Sequence, residues 1–262
     1  MKLRIKFSKQ GNVKFVGHLD VMRYFQKAIR RANLPVRYSE GFSPHMVMSF
    51  ASPLGVGLLS NGEYVDIELT EPSKLSSDEL CACLNAAMAQ GFEVKSVREL
   101  PDTAKNAMSI VAAADYKVWF REGYEPCWET FCEEFQTFCN RPAILITKAT
   151  KRNKIELDIR PLIYAMHLNK EEHSVFMQLS SGSADNLKPE LVLGAFYKEK
   201  GEELSPLALI VEREEVYGFT DKEKTQFAAL ESFGRVFPGV AKENAVQENT
   251  AQESIAKREA EA

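Results

Sequence analysis

The chain has 262 residues, 45% of them hydrophobic and 27% charged, with a formal net charge of −4. That composition belongs to globular proteins with a real core, and no apolar run approaches the roughly eighteen residues of a membrane helix. The cysteines number five, and Cys127, Cys132 and Cys139 fall in one expected helix, so a reducing cytoplasm is expected rather than a disulfide framework.

The net charge conceals a split. Residues 1–60 hold ten Lys/Arg against Asp20 and Glu40, a balance of +8 that leaves −12 for the remainder. Such an imbalance points to an anionic partner on the basic side.

In chain order, Leu3, Ile5 and Phe7 alternate with Lys2, Arg4 and Lys6, the period of a half-buried strand and not of a signal peptide. After a turn at Gln10-Gly11-Asn12 the period becomes helical from about His18 to Ala32. Met22, Phe25, Ile29 and Ala32 share one face, and Arg23, Lys27, Arg30 and Arg31 the opposite one. Asn33 and Leu34-Pro35 end this helix. A turn-rich stretch, Ser39 to Pro44, leads to strands near Val47–Ala51 and Tyr64–Leu69. A Ser-capped helix near Ser76–Ala89 and a strand near Phe92–Arg98 complete the first half.

The second half has the same order. A strand is expected at Tyr116–Phe120, and a helix at Pro126–Cys139 with Trp128, Phe131, Phe135 and Phe138 on its buried stripe. A long hairpin follows, with arms near Ala143–His167 and Ser174–Ser180, then a helix start at Asn186 to Pro189 and a strand at Leu207–Tyr217. Beyond Thr220 the pattern loosens, and residues 241–262 are too poor in large apolar side chains to bury a core. The expectation is an α+β protein of two tandem ferredoxin-like (βαββαβ) domains, residues 1–104 and 105–219, with a helical or disordered tail over 220–262.

Several chemistries lack their motifs. The sequence contains no Gly-x-x-x-x-Gly-Lys-Ser/Thr, Gly-x-Gly-x-x-Gly or His-Glu-x-x-His. Its cysteine spacings match neither a zinc ribbon nor an iron–sulfur site, so no metal or cofactor is expected. The basic helix face is the strongest positive signal. Arg23, Lys27, Arg30 and Arg31, with Arg37 as an extension, can track successive phosphates of RNA. Lys151 and Arg152, between Lys148 and Lys154, form a second basic cluster. Beyond it Ile155, Leu157 and Ile159 should face the core while Glu156, Asp158 and Arg160 pair on the other face.

His18 and Asp20 open the helix, and Glu40, Ser43 and His45 lie in the next turn. If the two segments meet, they form a pocket for general acid–base cleavage of a phosphodiester, although capping and turn-bracing roles also suit them. Ser180-Ser181-Gly182-Ser183 before the last helix is either an anion cradle or a plain connector.

Gly17-His18-Leu19-Asp20-Val21-Met22-Arg23, Tyr38 to His45, Ser49 to Gly57, Leu157 to Pro161 and Asn186 to Glu190 together resemble the radical-SAM-linked bacterial family of unknown function, over about residues 1–218. Gly17 and Met46 depart from it, standing where serine and proline are usual. The resemblance implies a separate radical-SAM enzyme as partner, because this chain has no Cys-x-x-x-Cys-x-x-Cys. The resulting expectation is a cytoplasmic accessory protein that presents RNA to that enzyme. The alternatives are a metal-independent endoribonuclease using His18 or His45, and a protein–protein adaptor whose basic stripe docks on an acidic face.

Overall fold

The computed structural model describes residues 1–149, 154–183 and 185–239. Strand β1 (Lys2–Lys9) leads through a 3-10 turn into helix α1 (His18–Arg31). Strands β2 (Met48–Phe50) and β3 (Leu59–Glu68), helix α2 (Ser77–Ala86) and strand β4 (Phe92–Leu100) follow. A short helix, α3 (Ala107–Ile110), joins this half to β5 (Val111–Phe120) and α4 (Trp128–Cys139). Then come β6 (Leu145–Ala149), β7 (Lys154–Asp158), β8 (Ile163–Asn169), β9 (Ser174–Ser180), α5 (Pro189–Glu199), β10 (Leu209–Phe219) and β11 (Phe227–Ala229).

Local chemistry accounts for most boundaries. Ser76 and Glu79 form a reciprocal capping box at the start of α2, which satisfies two orphan backbone donors. Asn33 takes φ +53 just past α1, a left-handed conformation that asparagine tolerates better than most residues. Pro189 opens α5, where its missing N–H costs nothing.

The protein is a mixed α+β structure built on a mainly antiparallel sheet. Its strand order is β4-β1-β3-β10-β5-β9-β8, with β2 paired to β3 and β11 to β10. The halves meet where β3 and β10 pair in parallel, Leu59 opposite Glu212 and Ser60 opposite Arg213. The seam is tight: a Cβ on Gly62 would lie 2.5 Å from the Glu214 carbonyl oxygen. Beside it Arg213, fully buried, bonds Glu63 and the Ser52 backbone. Burial works against its charge, and Glu63 and Tyr116 more than offset that, holding its pKa above the ordinary value.

Two apolar clusters form on this sheet. One joins Leu3, Ile5, Phe7, Val65 and Val97 to Phe25 and Ile29 of α1 and Leu80 and Leu84 of α2. The other packs Phe131, Phe135 and Phe138 of α4 on Phe196 of α5, over Val118, Val175 and Met177. Rings of α4 meet Phe196 edge-on at 5.3–5.4 Å between centroids, a favoured aromatic geometry.

Three expectations are corrected. First, β1 is buried on both faces. Arg4 is only 1% exposed, because Asp66 clasps its guanidinium at 2.8 and 2.9 Å and the Leu230 carbonyl accepts a third bond. Second, the hairpin arm expected from 143 to 167 is divided: β6 and β7 form their own ribbon, and β8 alone pairs with β9. Leu157 is exposed while Ile159 is buried. Asp158 accepts the Ile144 and Arg160 backbone N–H groups, and Arg160 donates to the Arg141 and Ile163 carbonyls, so these two side chains brace loops instead of pairing across strands.

Third, the tail expected from residue 220 is structured in its described part. Strand β11 pairs with β10, Leu230 is fully buried, and Phe237 joins the cluster around α1 and α2. Arg235 exchanges backbone bonds with Glu99. This segment covers the second face of β1, which is why Arg4 is internal. Residues 240–262 lie outside the described residues.

Candidate nucleic-acid interface

Helix α1 separates its side chains as its period requires. Val21, Phe25, Ala28 and Ile29 are buried, while Arg23, Lys27, Arg30 and Arg31 are all exposed on the opposite side. The helix begins without a side-chain cap, at Gly17. Asp20 in its first turn and Arg30 and Arg31 in its last complement the helix dipole.

The four cations differ in their freedom. Arg23 bonds Asp20 at 3.2 Å, both side chains well exposed. Arg31 donates to the Ala87 carbonyl at 2.7 Å and lies 5.8 Å from the Tyr24 ring centroid. Lys27 and Arg30 make no hydrogen bond or ion pair among the described residues. From Arg23 to Arg31 the row covers about 12 Å of helix axis, the axial rise of three to four phosphates on one duplex strand.

Much of the remaining N-terminal charge is engaged. Lys6 bonds Glu215 and Glu231 at 2.6 and 2.9 Å. Lys9 donates to the Lys14 and Val16 carbonyls, and burial lowers its pKa. Arg37 bonds Glu68 at 2.7 Å and does not extend the row as a free charge. Lys151 and Arg152 lie outside the described residues. The surface cations of the first sixty residues therefore come down mainly to the α1 row with Lys2 and Lys14.

The proposed acid–base residues have separate contacts. The His18 ring meets Phe50 edge-on at 5.2 Å, and Asp20 is paired with Arg23. His45 instead bonds the Ser39 hydroxyl through Nδ1 at 2.8 Å. Glu40 is exposed, on the same turn as His45. Among the described residues no hydrogen bond or ion pair joins His18 or Asp20 to Glu40, Ser43 or His45. Ser181 is buried, and a Cβ on the adjoining Gly182 would lie 2.7 Å from the Val111 carbonyl oxygen; this connector is packed against β5.

All five cysteines are free. Burial pushes the Cys139 thiol up to about 11 and raises Cys81 and Cys132 as well, the reverse of what a nucleophilic thiolate requires. No group of three His, Cys, Asp or Glu among the described residues is placed to hold a metal ion. None of the described helices is long and apolar enough to cross a membrane.

Residues 2–189 match the model of a bacterial family, DUF2344, described as an uncharacterized protein conserved in bacteria. The chain belongs to this family. The match takes in α1, the turn with His45 and both sheet halves up to the start of α5. No curated protein matches the sequence.

Proposed function

We propose that this DUF2344 protein is a cytoplasmic, non-enzymatic accessory protein that holds an anionic substrate, RNA, on the exposed face of α1 for a separate radical-SAM enzyme. The observation that carries the reading is the row Arg23, Lys27, Arg30 and Arg31, with Lys27 and Arg30 unpaired. Cations left free on a rigid helix can meet phosphates without first breaking an internal ion pair. The radical-SAM partner is proposed from the sequence resemblance around Gly17–Arg23 and Tyr38–His45.

We read the scaffold as two ferredoxin-like units, residues 1–104 and 105–219, sharing one sheet. In each half the first strand lies between the last and the third, as β4-β1-β3-β2 and β10-β5-β9-β8, which supports the reading.

A protein–protein adaptor is the second reading, favoured by one feature. At the N-terminal end of α1, Phe15, Leu19 and Val56 are 64%, 63% and 61% exposed. The loop holding Val56 is fastened there by a bond from Gly57 N–H to the Lys14 carbonyl at 2.8 Å. Exposed apolar side chains grouped beside charge suit a protein contact. The deciding experiment is direct binding of the purified full chain to single-stranded RNA across a salt series. Charge reversal at Lys27 and Arg30 should weaken binding and reduce its salt dependence if α1 is the RNA surface, and an absence of RNA binding by the parent favours the adaptor.

A further inference from the structure

The turn carrying His45 meets the start of β1 and the loop after β4 around a small cavity of about 200 Å3, lined in part by Lys2, His45, Ser49 and Lys105. Two carboxylates also line it, Asp66 and Glu68, and both are neutralised from outside. Asp66 is held by Arg4 through both oxygens and accepts the Ala107 N–H at 2.7 Å. Glu68 is paired with Arg37. With these pairs cancelled, Lys2 and Lys105 leave the lining at +2 before His45 is counted.

The donors at this cavity are under-used. The Lys2 ammonium bonds the Asp102 carbonyl at 2.7 Å, which leaves two of its three protons. Ser39 engages Nδ1 of His45, and among the described residues Nε2 has no hydrogen-bond partner. Among the described residues the side chains of Lys105, Ser49 and Asn106 make no hydrogen bond. Two ammonium groups, an imidazole, a hydroxyl and an amide offer more donors than the two oxygens of a carboxylate can use. A phosphate monoester, with three terminal oxygens and a charge of about −1.5 to −2, matches both the donor count and the +2 lining. The volume is below the ~300 Å3 at which pockets begin to hold drug-sized ligands, so an ion or head group fits and a whole nucleotide does not.

We propose that this cavity is a phosphate-monoester site, with Lys2, Lys105 and His45 as its charged ligands. It is separate from the α1 row and stands without it. The phosphate comes either from the end of an RNA chain or from a small phosphorylated molecule.

The test follows the His45 ring by NMR while the full chain is titrated with inorganic phosphate, against chloride at matched ionic strength. The expected result is a saturable shift with phosphate only. Lys105→Met, a change at an exposed side chain, should weaken binding about tenfold, and Lys2→Met should act in the same direction. Lys27→Glu/Arg30→Glu on α1 should leave phosphate binding as in the parent, which separates this site from the RNA reading. A 5′-phosphorylated oligonucleotide that binds more tightly than its 5′-hydroxyl twin, with the preference lost in Lys105→Met, identifies RNA ends as the source. A response to ribose 5-phosphate with no such preference identifies a small ester. A drift that is the same for phosphate and chloride, or parental binding by Lys105→Met, overturns the proposal.

Discussion

Replacing Arg4 with methionine should cost this protein far more than a surface charge would. The Arg4 guanidinium has no exposed side-chain surface. It makes two bonds to Asp66, at 2.8 and 2.9 Å, and one to the Leu230 carbonyl at 2.9 Å. Methionine fills much of the same space but strands the Asp66 carboxylate, 10% exposed in its side chain, leaving it the Ala107 N–H as donor among the described residues. Removing one partner of a buried pair costs about 3–5 kcal/mol. At about 2–4 °C per kcal/mol for a chain of this size, a loss of about 4 kcal/mol lowers Tm by about 8–16 °C. Urea unfolding should show the midpoint falling at constant m. Asp66→Asn added to Arg4→Met removes the stranded charge while its amide oxygen still accepts the Ala107 N–H, so the double variant should recover much of the loss. A single variant within about 1 kcal/mol of the parent, or a double variant no more stable than the single, would refute the buried-pair argument.

Two further outcomes test the scaffold. Gly62→Ala must push apart β3 and β10, since its Cβ would stand 2.5 Å from the Glu214 carbonyl oxygen and 2.7 Å from the Glu215 Cα. A cost of about 1–3 kcal/mol is expected in thermal or urea unfolding, and a neutral variant would mean the halves are not so closely seated. At Asp158, backbone N–H groups of Arg160 and Ile144 hold the carboxyl below its ordinary range. The folded pKa is depressed, so its stabilisation is present above the unfolded value near 3.9 and is lost as pH falls through the lower folded value. Asp158→Asn should be less stable at neutral pH and converge with the parent in acid. Parallel Tm-against-pH curves would contradict that.

What the sequence made legible was set by the range of the forces involved. The basic face of α1 follows from the 3.6-residue period and needs no knowledge of the rest of the chain, and its four cations are exposed as the pattern implies. The Arg4 site was illegible for the opposite reason. Its alternation with Leu3 and Ile5 reads as a solvated strand face, and the partner that internalises it is 62 residues away, beneath a segment a further 164 residues on. The long arm before β8 read as one strand because β6, β7 and β8 share a period of two, and nothing local marks the ribbon's separation. His18 and His45 are close in sequence, yet one packs on Phe50 and the other bonds Ser39. The residues that surround His45, Lys2 and Lys105, come from other elements and carried no local signal.

The salt dependence of RNA affinity bears directly on the proposed claim that α1 is the RNA-binding face. If four cations each displace a counterion from single-stranded RNA, log K should fall with log salt at a slope of about −2.8, roughly a fifty-fold loss between 50 and 200 mM. Lys27→Glu/Arg30→Glu should weaken binding and flatten the slope to about −1.4. A double variant with the parent's affinity and slope would contradict the claim.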